Sequence, residues 1–434
     1  MSKSKVAIVR TSPATVLEDT HRMMNLADYR DELPQDRETA LKVNISWHFF
    51  MPASSTTPWQ LEGVIRALAR DGYAKDRIHA CHNRTVVIDA RLGERENKQV
   101  HVTDAHGLRN VHLYEDDVEW IHVRDAVGDV ADRFMCLNDV YPDGFMIPKR
   151  FVGENIIHLP TVKTHVFTTT TGAMKNAFGG LLNEKRHWTH PVIHETLVDL
   201  LRIQKHIHSG VFAVMDGTFA GDGPGPRCMV PCVKNVMLAS RDQVAIDAVA
   251  AKLMGFDPMK DIKFVRLAHE AGLGCGDPRD IEIVGDRAAA SENWHFAGPY
   301  RNMTFASRMQ HKIYWGPLKK PLEWTLKTVL APWSYVASVL YHDAYWYTRH
   351  QDLVHQLMNS EWGRLFHNWE RVTIPPDRLD APGWSDVGDV PGELPRETLE
   401  LIRKSLRILG KCVVEAPEFD ARRRHRVYRN DEPS

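Results

Sequence analysis

Short apolar runs and amphipathic stretches alternate along the first two-thirds of the chain. Lys5 to Arg10, KVAIVR, and Ala40 to Trp47, ALKVNISW, have strand length and strand composition. From Thr57 to Gly72 the apolar period changes to that of a helix, with Leu61, Val64 and Leu68 on one stripe. Thr57 is its predicted N-cap, Pro58 its first residue and Gln60 the partner in a capping box, and Gly72 stops it. Arg77 to Cys81, RIHAC, returns to the strand pattern. Strand–helix–strand order of this kind predicts an α/β fold with a mostly parallel sheet and flanking helices.

Between Asn83 and Arg109 the pattern weakens, which predicts loops with one short helix. Val118 to Val123, Gly144 to Val152, Gly210 to Asp216 and Val233 to Leu238 read as further strands, and a long helix is expected from about Pro191. A second capped helix follows Ser240, with Gln243 completing its capping box and Gly255 ending it. Ile246, Val249, Ala250 and Leu253 form its core face. A helix over Lys263 to Ala271 and a strand over Asp280 to Val284 complete an α/β core expected to span residues 1–289. Strand patterns then stop, and eight of the 12 tryptophans fall between Trp294 and Trp384. This predicts a helical, aromatic-rich C-terminal extension over residues 290–434, with a Pro-, Gly- and Asp-rich linker at 376–393.

Composition narrows the function classes. The formal net charge of -1 supplies no bulk field for nucleic acid, so no nucleic-acid partner is expected. Six scattered cysteines form no disulfide framework, and with no leader or spanning segment read at this stage a cytoplasmic location is expected. The segment Trp315–Tyr347 combines aromatic rings with Lys319, Lys320 and Lys327. It suits either a homo-oligomer interface or a peripheral membrane surface.

The candidate chemistry centres on Asn155 to Gly180, NIIHLPTVKTHVFTTTTGAMKNAFGG. A strand, a polar turn and a helix carrying a lysine make a good anion cradle. Lys163 and Lys175 are expected to neutralise a small carboxylate or phosphate substrate, and the turn at Thr171-Gly172 to add backbone N–H donors. Asn176 and Lys185 extend the substrate-binding set, and His165 is the candidate general acid or base. Asp216 stands at the expected carboxyl end of its strand, as a catalytic or metal-binding group, with Asp222 following in a glycine-rich loop. His187 and His190 are further candidate ligands for a divalent metal; a helix continuous with His194 would stack all three. The spacing of the cysteines predicts no iron–sulfur cluster. Proton transfer beside a carbonyl and hydride transfer both fit this set. The competing function is a non-catalytic binding or assembly protein that uses the aromatic C-terminal region for its partner.

Several of these segments together resemble a bacterial and archaeal family known as domain of unknown function 362. They are LKVNISW around Lys42 and Asn44, TTPWQLEGVIRALARDGY, HLPTVKTHVFTTTTGAMKNAFGG, the Lys185 to His190 region, VMDGTFAGDGPGP and NVMLASRDQVAIDAVAAKLMGFDP. The resemblance covers about residues 1–287 and implies an α/β domain. Many relatives carry ferredoxin-like cysteine clusters; this chain departs from that pattern, having no C-x-x-C-x-x-C run.

Overall fold

A computed structural model describes residues 4–84, 88–182, 184–300, 303–314, 316, 338–342, 344 and 351–369. Its strands, in chain order, are β1 (Ser4–Arg10), β2 (Thr39–Val43), β3 (Ile78–His82), β4 (Arg109–His112), β5 (Trp120–His122), β6 (Met146–Pro148), β7 (Asn155–Leu159), β8 (Thr161–His165), β9 (Thr169–Thr170), β10 (Gly210–Asp222), β11 (Val230–Ser240) and β12 (Ile281–Gly285). The main sheet has the order β12-β1-β11-β10-β7-β2-β3-β4, with β8 joining β10 and β9 joining β8. Strands β4, β3, β2, β7 and β10 pair in parallel, and β1 pairs in parallel with β12. Only β11 and β9 run against their neighbours.

Both faces of this sheet are covered: β2, β3 and β7 are buried at every position. Side chains alternate between two cores: Val6 and Ile8 enter one, Ala7 and Val9 the other. The helices Val16–Leu26 and Pro58–Arg70 build the second core; Ile193–Ile207, Gln243–Met254 and Lys263–Glu270 build the first.

Several local expectations change. The strand predicted to reach Trp47 stops at Val43, because Asn44 turns the chain into a loop held by Asn44 N–H on Thr56 Oγ1 (2.8 Å) and Asn44 Nδ2 on Ser54 O (3.0 Å). Thr57 caps its helix as expected, but Gln60 does not reach back to it; its amide donates to Pro160 O (2.9 Å) and Val214 O (2.8 Å), joining helix to sheet. Asp242, not Ser240, caps Gln243–Met254, accepting from Val244 N and Ala245 N, while Ser240 Oγ donates to Lys5 O. Residues 83–109 hold two helices, Ala90–Glu96 and Gln99–His106, and β5 and β6 form a separate two-stranded pair beside the sheet. The predicted long helix starts only at Ile193, after a 3-10 stretch Glu184–Val192, so His187, His190 and His194 share no continuous α-helical face.

Part of the region assigned to an extension returns to the α/β core. Helix Glu361–Asn368 buries Trp362, Leu365 and Phe366 in the core that holds Trp59. The Trp362 and Trp59 rings lie 5.0 Å apart, and Trp362 Nε1 donates to Asn235 Oδ1 at 2.7 Å. The expected linker at 376–393 and most of Trp315–Tyr347 lie outside the described residues. Among the described residues, no helix is long and apolar enough to cross a membrane.

Candidate functional site

Open parallel sheets place their ligand crevices at the carboxyl ends of the strands. Here that edge carries an unusual run of basic residues. Lys42 is the penultimate residue of β2, in register with Cys81 of β3 and His158 of β7. His82 closes β3, opposite His112 of β4. Strand β8 then carries Lys163 and His165 over the same edge, and the short helix Ala173–Asn176 adds Lys175.

These elements enclose a cavity of about 110 Å³, several times the space one water needs. Its wall includes four cations: Lys42, Lys163, Lys175 and Arg186. His82, His165, Thr171, Gly172 and Asn176 also line it, and among the described residues no carboxylate does. The structure thus brings together six of the residues singled out from sequence: Lys163, His165, Thr171, Gly172, Lys175 and Asn176.

The lysines sit in environments that disfavour charge. Lys163 is about 1% exposed, and its Nζ donates to Ser54 O at 3.0 Å and to Thr161 Oγ1. Burial first, then the neighbouring Lys175, lowers its pKa to about 7, although Asp216 pulls the other way. Burial and Arg186 lower Lys175 to about 8. Burial also brings Lys42 to about 8; its Nζ donates to Val43 O at 2.6 Å. Gly180 keeps room for the Lys42 stem, since a Cβ there would stand 3.1 Å from Lys42 Cε.

His165 is held as a neutral ring. Its Nδ1 accepts the Phe167 N–H at 3.1 Å, which places the remaining proton on Nε2. Burial and the charge of Lys175 push its pKa well below the usual histidine range. With Nδ1 accepting, the neutral ring can offer Nε2–H toward the cavity as a hydrogen-bond donor. Asn176 is similarly committed: its Nδ2 donates to Lys42 O at 2.7 Å and lies 3.4 Å from His158 Nδ1. Behind it His158 meets Gln204 Oε1 at 2.5 Å.

The expected backbone cradle has another occupant. Ala173 N and Met174 N, the free donors that open the helix after Gly172, donate to Asp247 Oδ1 (2.6 Å) and Oδ2 (3.1 Å). Thr171 N donates to Lys163 O. Gly172 permits this, because a Cβ would stand 2.0 Å from Asp247 Oδ1. Burial raises the Asp247 pKa to about 8, against the two N–H bonds that favour its ionised form. Cationic side chains, not helix N–H groups, therefore set the field of the cavity.

Asp216 is not a wall residue. Strand β10 does not end there but continues to Asp222 past a bulge between Gly217 and Phe219. The Asp216 carboxylate is buried among Thr57 Oγ1 (2.5 Å), Trp59 Nε1 (3.1 Å) and Thr218 N (2.7 Å), and burial raises its pKa. Asp222 accepts from Ala297 N (3.0 Å) and Gly298 N (2.9 Å), tying down the chain after the core rather than facing the cavity. His190 packs its ring against Phe167 and Phe178. The side chains of Lys185 and His187 lie outside the described residues.

Sequence reasoning left Lys42, His82 and Arg186 without roles. The available signal was position: His82 follows directly on the strand-like run Arg77 to Cys81, and Lys42 lies inside the strand-like run from Ala40. Arg186 offered no comparable signal. It reaches the wall through bonds to Leu182 O (3.3 Å) and Arg84 O (2.9 Å).

Residues 39–252 match the model of a family described as Domain of unknown function (DUF362). The matched span contains every wall residue of the cavity and ends in the helix that carries Asp247. No curated protein and no solved structure matches the chain.

Proposed function

We propose that this chain, which belongs to the DUF362 family through residues 39–252, is an enzyme acting on a small oxyanion-bearing substrate, a carboxylate or phosphate. The carrying observation is the cavity wall, with four basic residues and, among the described residues, no carboxylate. Grouped cations in a poorly solvated site repel one another, and a multiply charged oxyanion relieves that repulsion. In this reading Lys42, Lys175 and Arg186 hold the anion. Lys163, whose pKa of about 7 matches working pH, gives and takes the proton. His165 donates a neutral hydrogen bond from Nε2 to a substrate oxygen where negative charge develops. The reaction class is proton transfer beside the anionic group.

The test is a thermal-shift and calorimetric titration with inorganic phosphate, sulfate and small dicarboxylates. Wild-type protein is expected to bind and melt higher, and Lys175→Gln and Arg186→Gln are expected to lose the shift. No stabilisation by any of these anions refutes the reading. So does an equal shift in wild type and both variants, which would place the anion elsewhere.

A further inference from the structure

We propose that His82, Glu94 and His112 form a binding site for one divalent first-row transition-metal ion beside the cationic cavity. The proposal does not depend on the oxyanion reading.

The fold delivers the three groups by separate routes. His82 and His112 are register partners at the ends of parallel neighbours β3 and β4, so their side chains leave the same face. Their ring centroids lie 4.9 Å apart. Glu94 comes from helix Ala90–Glu96, fixed at its start by Asp89 Oδ1 accepting from Leu92 N. Both imidazoles aim Nε2 at this one carboxylate: His82 stands 2.7 Å from Oε2, and His112 stands 2.9 Å from Oε2 and 3.1 Å from Oε1.

All three donor atoms lie within 4.8 Å of one another, and all three residues are buried. Ligands about 2.0–2.2 Å from one ion stand about 3–3.5 Å apart, so widening these contacts by roughly half an ångström admits the ion. His112 Nδ1 lies 3.5 Å from Glu115 Oε2, the outer carboxylate that commonly orients a metal-bound imidazole. Glu115 is itself paired with Arg91.

Two imidazoles and one carboxylate select the ion class. The set suits zinc, iron(II) or cobalt(II), which leave positions open on such a triad, and suits magnesium and calcium poorly. His82 is also a wall residue of the cavity, so an ion here adds positive charge on the side where an oxyanion would enter. A second histidine–carboxylate group, Glu38, His79 and Glu154, lies at the opposite ends of the strands. There Arg150 reaches both carboxylates at 3.2 Å and already supplies the positive charge.

The test uses untagged full-length protein, stripped with a chelator and loaded with Co²⁺ or Zn²⁺ in phosphate-free buffer. Wild type is expected to retain one equivalent through gel filtration, with visible Co²⁺ bands and no displacement by excess Mg²⁺. Glu94→Gln, which keeps side-chain shape, is expected to lower Co²⁺ affinity by about 100-fold, the upper end of the range for outer-shell losses. Failure of the wild type to hold stoichiometric Co²⁺ or Zn²⁺ overturns the proposal, as does undiminished binding in Glu94→Gln. Cu²⁺-loaded wild type needs no variant: electron paramagnetic resonance should show coupling to two imidazole nitrogens, and one or none would overturn the assignment. Metal binding without phosphate binding removes the oxyanion reading alone, and the reverse removes the metal site alone.

Discussion

Lys163→Met tests whether the cavity is built at the expense of the fold. A lysine pKa lowered from 10.5 to about 7 means that the charged form is disfavoured by roughly 5 kcal/mol in the folded chain, at about 1.4 kcal/mol per tenfold change. The lowered value belongs to the folded state, so between pH 7 and 10.5 the folded chain binds fewer protons than the unfolded chain. Stability therefore rises with pH across that window; the penalty is complete below about pH 7 and gone above about pH 10.5. Methionine fills similar volume without charge but removes two hydrogen bonds, leaving Ser54 O with Asn44 Nδ2 and Thr161 Oγ1 with Ala53 O, a loss of about 1–3 kcal/mol at about 0.5–1.5 kcal/mol per bond. The variant should exceed wild type by about 2–4 kcal/mol at pH 6 and fall below it by about 1–3 kcal/mol at pH 10.5. Denaturant melts at the two pH values measure the difference. A variant equally destabilised at both would refute the reasoning, because it would mean that the buried ammonium carries no penalty. Phosphate stabilisation should persist in the same protein, because in the proposed site Lys42, Lys175 and Arg186 hold the anion.

Gly172→Ala should destabilise the chain by about 2–4 kcal/mol and weaken anion binding, since its Cβ would displace Asp247 from Ala173 N and Met174 N; chemical denaturation and phosphate titration read the two effects. Trp362→Ala should cost about 3–5 kcal/mol, as for a core tryptophan. A melt within about 0.5 kcal/mol of wild type, the usual surface-substitution range, would mean that helix Glu361–Asn368 is not part of the core.

The elements that local pattern specifies were readable: the strand at Lys5 to Arg10, the cap at Thr57, and the basic, threonine-rich stretch that supplies nine wall residues. What escaped depends on partners distant in sequence. Nothing near Gly172 announces that Asp247, 74 residues beyond Ala173, fills the helix start. Gln60 and Ser240 fit capping rules, yet stronger tertiary partners at Pro160, Val214 and Lys5 take their side chains. Asp216 read as a strand end because Gly217 follows it, but the strand bulges there and continues. His82 and His112 are ordinary histidines in sequence; only the parallel register of β3 and β4 makes them a pair.

The occupation of the helix start by Asp247 has a consequence for how an anion is held. Backbone N–H groups do not titrate, so a cradle built from them binds a permanent dianion with little pH dependence. In the proposed site the titrating donors are the ammonium groups of Lys42 and Lys175, each with a pKa of about 8. Sulfate stays dianionic throughout this range, so its binding isolates the protein's own protons. Each lysine that must be charged in the complex but is neutral in the free protein lowers affinity tenfold per pH unit above its pKa. From pH 7 to pH 9, Lys42 and Lys175 each predict a fall of about tenfold, about 100-fold if both must be charged. Calorimetry at pH 8 in buffers of different ionisation enthalpy should also show net proton uptake on binding. A flat affinity with no proton uptake would mean that Arg186 or neutral donors hold the anion, and the lysine wall would then have no part in recognising it.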